Sequence, residues 1–154
     1  MKVFISHKST DATTAKQVQK AFSNLGVNAY LDLLDDFSGD GAKLTAHIKE
    51  QLNKCSDIIV VMSTATITSW WVPFEIGMSA QLDMPTATYL TSSATALPDY
   101  LTYWPKLTKI SDIPKYVSVR NRVWHTDALF ERRMFSSTYS TGEFYRRLKA
   151  ELRR

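Results

Sequence analysis

The sequence of 154 residues contains only one cysteine, five glycines and five prolines, and no long apolar run. Because a single thiol, Cys55, excludes an intrachain disulfide, we expect a reducing, cytoplasmic location. A membrane helix needs roughly 18 consecutive apolar residues, which no segment of the chain approaches. The amino terminus passes directly from Met1 and Lys2 into VFIS, without the apolar segment of a secretory signal. These absences favour a protein with neither a membrane segment nor a leader.

Several motifs of nucleotide sites and catalytic sites are also missing. The sequence has no glycine-rich dinucleotide fingerprint, no P-loop and no G-x-S-x-G nucleophile elbow. The histidines at His7, His47 and His125 and the one cysteine lack metal-ligand spacing, so no metal site is predicted. Cys55 precedes an apolar run and is interpreted as a small apolar filler.

Short apolar runs alternate with amphipathic segments up to about residue 90. Strands are predicted at 2–6, 27–31, 57–62 and 86–90, and helices at 11–25, 42–54 and 71–81. Ser9 or Thr10 is predicted to cap the first helix. The unbroken apolar run at 57–62 is typical of a central parallel strand buried on both faces. The order predicts a flavodoxin-like α/β fold, a three-layer open parallel sheet of four to five strands in the order 2-1-3-4-5 with helices on both faces.

The pattern weakens after residue 91, and the last part of the chain is basic. A short edge strand at 107–110, a short helix at 113–119 and an amphipathic helix at 142–153 are predicted. Residues 120–154 carry nine Arg and Lys against four Asp and Glu. Nucleic-acid binding is nevertheless not expected, because the aromatics of this region have the helical spacing of core residues. We divide the chain into residues 1–118 and a helical extension, 119–154, packed on the same domain.

In open parallel sheets, ligands bind beyond the carboxyl ends of the strands. Three predicted segments meet there, namely Ser6 to Lys8, the loop at 32–41, and Ser63 to Glu75. A phospho-receiver domain shares this topology but needs acidic residues after the first and third strands. Those positions hold Ser6 and His7 and then Met62 and Ser63, which excludes a receiver.

Four segments in order carry a family resemblance: VFISHKSTD at 3–11, AYLDLLDDFSGDG at 29–41, IKEQLNKCSDIIVVMS at 48–63 and SWWVPFEIGMS at 69–79. Together they resemble a TIR (Toll/interleukin-1 receptor) domain of the bacterial, NAD-cleaving type. The likeness covers residues 2–90 and continues more weakly to about 118.

The resemblance implies a catalytic role for Glu75, because TIR enzymes cleave NAD with a glutamate in a W-x-x-x-E pattern on this helix. Trp71 is the tryptophan of that pattern and is interpreted as core or pocket wall, and Trp70 as a packing residue. The implied substrate site contains Ser6, His7, Lys8, Phe37, Ser63 and Trp71. Lys8 is the candidate ligand of the pyrophosphate, and Trp71 or Phe37 is a candidate for stacking on a base. NAD is then the substrate, and no cofactor is expected.

The loop after the second strand is implied to gate the pocket and to take part in self-association. Its candidate residues are Asp32, Asp35, Asp36, Gly39 and Gly41. The alternative interpretation is an Asp-rich turn held by local Asx hydrogen bonds. The implied partners are NAD, further TIR domains and a separately encoded effector or sensor, without a membrane.

A single carboxylate suits this chemistry. Loss of nicotinamide leaves an oxocarbenium-like ribose, which a nearby carboxylate stabilises. Nicotinamide departs neutral from a cationic pyridinium, so no acid is needed to protonate it. In isolation, Glu75 would be interpreted as a helix-start glutamate stabilised by the helix dipole, and its catalytic interpretation depends on the surrounding pattern.

The predicted function is therefore NAD glycohydrolase or cyclase activity in bacterial anti-phage immunity, by NAD depletion or by release of an ADP-ribose-type signal. Since no sensor or effector domain accompanies these motifs, the signalling form is preferred. Two alternatives stay open. One is a catalytically silent TIR scaffold, and the other is an enzyme similar to nucleoside 2-deoxyribosyltransferases, which share the fold and place a glutamate at a ribose anomeric carbon.

Overall fold

The computed structural model describes residues 1–31, 40–92, 98–130 and 137–153, with the side chains of 126–130 and 137–138 excepted. Five of the predicted site residues lie outside these ranges, namely Asp32, Asp35, Asp36, Phe37 and Gly39. No helix in the described ranges has the length and apolarity needed to cross a lipid bilayer.

In the part of the chain that the structure describes, five parallel strands form one sheet in the order β2-β1-β3-β4-β5. They are β1 (Lys2–Ser6), β2 (Asn28–Leu31), β3 (Asp57–Met62), β4 (Thr86–Leu90) and β5 (Lys106–Leu107). Every residue of β3 is buried, and this strand pairs with β1 on one side and β4 on the other. The predicted flavodoxin-like fold and its central strand are confirmed.

Five α-helices in the described ranges cover the two faces of the sheet. They are α1 (Ala12–Ser23), α2 (Gly41–Asn53), α3 (Trp71–Gln81), α4 (Asp112–Phe130) and α5 (Ser137–Leu152). Alternate strand residues point to opposite faces, so Val3 and Ile5 pack with α1, α4 and α5, whereas Phe4 packs with α2 and α3. The three-layer arrangement follows.

The structure differs from the sequence prediction mainly in the last third of the chain. Helix α4 has 19 residues and does not end at residue 119. It accommodates Pro114 in its first turn, where proline removes no helical hydrogen bond. The predicted strand at 107–110 stops at Leu107, because the Thr108 and Lys109 amides turn to the Asp112 carboxylate, at 3.0 and 3.1 Å. Helix α5 begins at Ser137, ahead of the predicted start.

A buried ion pair attaches α4 to the amino end of β3. Arg120 Nε lies 2.8 Å from Asp57 Oδ1, and the Tyr116 hydroxyl donates to the same oxygen at 2.9 Å. Ser56 Oγ donates to Asp57 Oδ2 at 2.6 Å, and the Arg120 guanidinium stacks on the Trp124 ring. Helix α4 runs continuously through residue 118. The division of the chain at that position stays a prediction.

Candidate active site

The catalytic candidate Glu75 lies at the carboxyl edge of the sheet, in the second turn of α3. Its side chain is 0% exposed. Helix α3 begins at Trp71, where Ser69 Oγ accepts a hydrogen bond from the Val72 amide at 3.4 Å. Pro73 falls in the first turn, where its missing N–H costs nothing. With the helix starting at Trp71, Glu75 lies on its buried side and faces the strand ends.

Ser6, the last residue of β1, is the direct partner of this glutamate. Its hydroxyl donates a hydrogen bond to Glu75 Oε2, and both side chains are fully buried. A buried carboxylate requires such a donor, since its desolvation is otherwise uncompensated. His7 follows at once and is also buried. The structure thus brings together Ser6 and Glu75, which are distant in sequence, and His7 directly follows Ser6 at the end of β1.

Ser63, predicted to lie at the pocket floor, is bound within the fold. Its hydroxyl donates to Asp11 Oδ2 at 2.7 Å, and Thr66 Oγ1 donates to the same oxygen at 2.6 Å. The Ala65 amide donates in turn to Ser63 Oγ at 3.1 Å. These contacts fix the connection from β3 to α3, and the role of Ser63 in substrate binding stays a prediction.

Asp11 and Thr66 are functional candidates that sequence reasoning missed. The predicted caps Ser9 and Thr10 are wrong: residues 9–11 form a 3₁₀ turn, and α1 starts after Asp11 without a side-chain cap. An aspartate at a helix start looks like an ordinary capping residue. Only the folded chain brings its carboxylate to residues more than fifty positions away.

Lys8 makes a second link to the same connection. Its ammonium donates to the Ala65 carbonyl at 3.2 Å and to Thr68 Oγ1 at 3.4 Å. An ammonium has three donors, and two of them are used in these contacts with described residues. The predicted contact with a pyrophosphate is compatible with this arrangement and stays a prediction.

The two adjacent tryptophans have different environments. Trp71 is half-buried, meets the Phe74 ring edge-on at 5.9 Å and packs on the core beneath α2 and α3. Trp70 is 91% exposed. The packing role predicted for Trp70 is therefore wrong, because this residue precedes the first turn of α3 and projects away from the sheet.

The end of the predicted gating loop initiates α2. Gly41 is the first residue of this helix, and Asp40 caps it by accepting from the Lys43 amide at 3.0 Å. That backbone hydrogen bond lowers the pKa of the Asp40 carboxyl below its ordinary value. Within the described part of the chain, no three His, Cys, Asp or Glu side chains are grouped closely enough to hold a metal ion.

Comparison with solved structures supports the fold. A 2-deoxyribosyltransferase from Bacillus psychrosaccharolyticus superposes with a TM-score of 0.58 at 8% identity, over 73% of this chain and 90% of that one. At this identity the likeness concerns the fold alone.

Comparison of sequences supports the family. One relative, from Cytobacillus dafuensis, is named as a candidate cyclic ADP-D-ribose synthase, TIR2. It is 29% identical over 85 residues, which are 52% of this chain and 22% of the relative. A probable 3′ cyclic ADP-D-ribose synthase, ThsB′, from Bacillus cereus strain MSX-D12 is 25% identical over 79 residues, 49% of this chain and 41% of that protein. The matched segments thus span less than half of either relative.

The family model of the TIR domain matches residues 3–107. This range contains the described sheet except Lys2, with Ser6 at the end of β1 and Glu75 on α3. The chain belongs to the TIR domain family.

Proposed function

We propose that this TIR domain cleaves the nicotinamide–ribose bond of NAD, with Glu75 as its catalytic residue. The observation that carries the proposal is the buried Glu75 carboxylate at the carboxyl edge of β1 and β3, hydrogen-bonded by Ser6. Ligands of open parallel sheets bind at this edge. The two relatives are both named as cyclic ADP-D-ribose synthases, and these names support NAD as the substrate.

The proposed reaction breaks one bond of NAD. The C–N bond from ribose to nicotinamide breaks, its electron pair leaves with nicotinamide, and positive charge develops on the ribose. The Glu75 carboxylate stabilises that charge, most strongly where water is excluded. An oxygen or nitrogen nucleophile then bonds to the anomeric carbon and loses its proton to the surroundings.

The neighbouring residues have proposed supporting roles. Ser6 donates to Glu75 Oε2, and because a carboxylate has about four lone-pair sites, Glu75 is proposed to accept from the ribose hydroxyls as well. Lys8 is proposed to bind the pyrophosphate, and His7 to line the pocket beside Ser6. Trp71 or Phe37 is proposed to stack on a base of the substrate.

We further propose that the product is a signal. When the nucleophile is water, the product is ADP-ribose and the outcome is NAD depletion. When it belongs to the ADP-ribose part of the same molecule, the product is a cyclic ADP-ribose, which the names of both relatives favour. A separately encoded effector that binds this product would complete a defence pathway against phage.

The experiment follows nicotinamide release from NAD by the purified chain, at high protein concentration and with a crowding agent. Glu75→Gln should lower the rate by at least about 100-fold, the usual effect of removing a transition-state stabiliser. Glu50→Gln, an exposed glutamate on α2 paired with Lys54, is the matched control. Mass spectrometry separates ADP-ribose from a cyclic ADP-ribose, which is lighter by one water.

Each alternative has its own outcome in this assay. No release by the concentrated wild type, with a folded chain, favours the silent scaffold. Release of a base from deoxynucleosides but not from NAD favours a deoxyribosyltransferase-like enzyme. Equal rates for wild type and Glu75→Gln would remove the site assignment.

A further inference from the structure

A pocket of about 170 Å³ lies beside Thr86, the first residue of β4, at the end of the sheet opposite to Glu75. Its walls include the rings of Tyr103, Trp104 and Tyr145. The Tyr103 ring lies at 75° to the Trp104 ring and at 89° to the Tyr145 ring, with centroids 6.2 and 5.6 Å apart. Pockets for drug-sized molecules measure roughly 300–1,000 Å³. This pocket therefore fits a single ring system, and the rest of a larger ligand would lie outside it.

The oxygen atoms around this pocket offer acceptors to a ligand. The Thr141 hydroxyl donates to the Asp83 carbonyl at 3.2 Å, and the Tyr145 hydroxyl donates to the Met84 carbonyl at 3.5 Å. The hydrogens of both hydroxyls are thus used within the fold. An ionised aspartate such as Asp83, which is exposed at this pocket, accepts hydrogen bonds only. A ring with an amino group therefore matches the pocket better than a ring with carbonyl groups alone.

Three cations lie beside the pocket. Lys149 follows Tyr145 by one turn of α5, and Arg153 follows Lys149 by one more turn, so the three residues share a side of the helix. The Lys149 ammonium donates to the Tyr103 carbonyl and lies 5.2 Å from the centre of the Tyr103 ring. Lys106 is exposed on β5, close to Tyr103 in sequence. Among the described residues, none of these three cations forms an ion pair.

The three cations repel one another. Burial and then the charges of Lys106 and Arg153 lower the pKa of the Lys149 ammonium below its ordinary value. The two glutamates of α5 do not relieve this repulsion, because they pair with other arginines. A bound polyanion would relieve it, and phosphate groups are anions that lysine and arginine bind well.

We propose that the pocket and the three cations form a second ligand site, the β5-edge site, which binds a nucleoside diphosphate with an amino group on its base. The base occupies the pocket against the aromatic rings, and its amino group donates to the oxygens of Asp83 and Thr141. The two phosphates lie against the three cations. Lys149 is about 6 Å along the helix from Tyr145, and this separation leaves space for the ribose.

The β5-edge site lies apart from the candidate active site. Glu75 and Lys8 lie at the carboxyl ends of the strands, whereas the β5-edge site begins at the amino end of β4 and continues along α5. Its ligand needs no nicotinamide–ribose bond. The proposal therefore goes beyond NAD cleavage and does not depend on it.

The test is isothermal titration calorimetry on the full chain with ADP, pyrophosphate, CDP and UDP. ADP should bind, and pyrophosphate should bind at least about fivefold more weakly, because it has no base to stack on the aromatic rings. CDP should bind at least about twofold more tightly than UDP, which has a carbonyl oxygen in place of the amino group. Absence of ADP binding at millimolar concentration overturns the proposal, as does pyrophosphate binding as tight as that of ADP. Equal affinities for CDP and UDP overturn the contact of the amino group.

A charge-matched pair of variants tests the phosphate contacts. The double variant Lys106→Gln with Arg153→Gln removes two exposed cations of the β5-edge site. It should raise the dissociation constant of ADP by at least about tenfold, the effect of losing hydrogen bonds to charged groups. The double variant Lys16→Gln with Lys20→Gln removes two exposed cations from α1 and should bind ADP like the wild type. Equal losses in the two double variants would mean that only the net charge matters, and would overturn the site.

A variant at Gly142 tests the pocket. Gly142 lines the pocket, and a Cβ there meets no atom within 4 Å. Gly142→Leu should therefore obstruct the pocket without disturbing α5, and should weaken ADP binding to the level of pyrophosphate. Gly77→Leu, at an exposed glycine of α3 with the same free space, is the matched control. Unchanged ADP binding in Gly142→Leu overturns the placement of the base.

A variant at Lys8 separates the β5-edge site from the proposed NAD site. Lys8→Gln should leave ADP binding at the β5-edge site unchanged. Loss of ADP binding in Lys8→Gln, but not in Lys106→Gln with Arg153→Gln, would assign the nucleotide to the proposed NAD site and overturn the β5-edge site. Binding of a short single-stranded DNA without binding of ADP would make the cations a nucleic-acid surface, which also overturns it. The titrations need no NAD cleavage, so their result is independent of the proposed function.

Discussion

The Ser6 hydroxyl donates a hydrogen bond to the Glu75 carboxylate across the carboxyl edge of the sheet, joining β1 to α3 over 69 positions of sequence. Both side chains are fully buried. This hydrogen bond and the burial restrict rotation of the Glu75 carboxylate. We therefore propose Ser6 as a positioning residue for Glu75.

Replacing Ser6 by alanine removes this donor without changing the shape of β1. We expect kcat for nicotinamide release to fall by about tenfold or more, since a hydrogen bond to a charged group contributes about 1.5–3 kcal/mol. KM should change much less, because the lost contact is to the proposed catalytic carboxylate. Steady-state kinetics on Ser6→Ala measures kcat and KM separately and checks this prediction.

Ser79→Ala is the matched control for that variant. Ser79 is another fully buried serine close to Glu75 in sequence, and its hydroxyl donates to Ile76 O of its own helix at 2.8 Å. Its loss should leave kcat near the wild-type value. Equal losses in Ser6→Ala and Ser79→Ala would mean that packing around α3, and not the contact with Glu75, sets the rate.

Asp11 should stabilise the fold and the site together. Its carboxylate accepts from Ser63 and Thr66 and so fixes the segment that leads into α3. Asp11→Ala leaves both hydroxyls without this acceptor, and we expect the free energy of unfolding to fall by about 2 kcal/mol. Urea unfolding measures the change, with the exposed Asp99→Ala as control. An effect no larger than that of Asp99→Ala would contradict the assignment.

How much of the structure can be predicted from the sequence depends on how far apart in sequence the interacting residues lie. The strands β1 and β3 and the helix α3 follow from local patterns, because apolar periodicity directly reflects burial. The pairing of Asp11 with Thr66 has no local signal, because each residue alone suits an ordinary turn or helix start. The exposure of Trp70 was also missed, since hydrophobicity predicts burial and cannot distinguish a core from an uncovered surface.

The buried pair Asp57 and Arg120 should be the most sensitive polar contact of the fold. Asp57→Ala leaves a nearly buried guanidinium without its anion, and we expect a loss of about 3–5 kcal/mol. The double variant Asp57→Asn with Arg120→Met should lose less, because it leaves no charge buried. Chemical denaturation of the three proteins decides this. A double variant as unstable as Asp57→Ala would assign the effect to packing around Tyr116 and Trp124.

Glu143 provides a prediction of pH dependence. Hydrogen bonds from Arg146 and Arg147 lower the pKa of its carboxyl from 4.5 to about 2. Because the folded pKa lies below the unfolded one, the pairs stabilise the fold above pH 4.5, and this contribution is lost as the pH falls toward 2. Both arginines are exposed, so the contribution is below about 1 kcal/mol. Glu143→Gln should be slightly less stable than wild type in urea at pH 7, with the difference shrinking at pH 3 and in 1 M salt. A difference independent of both pH and salt would show that Glu143 acts through packing and not through charge.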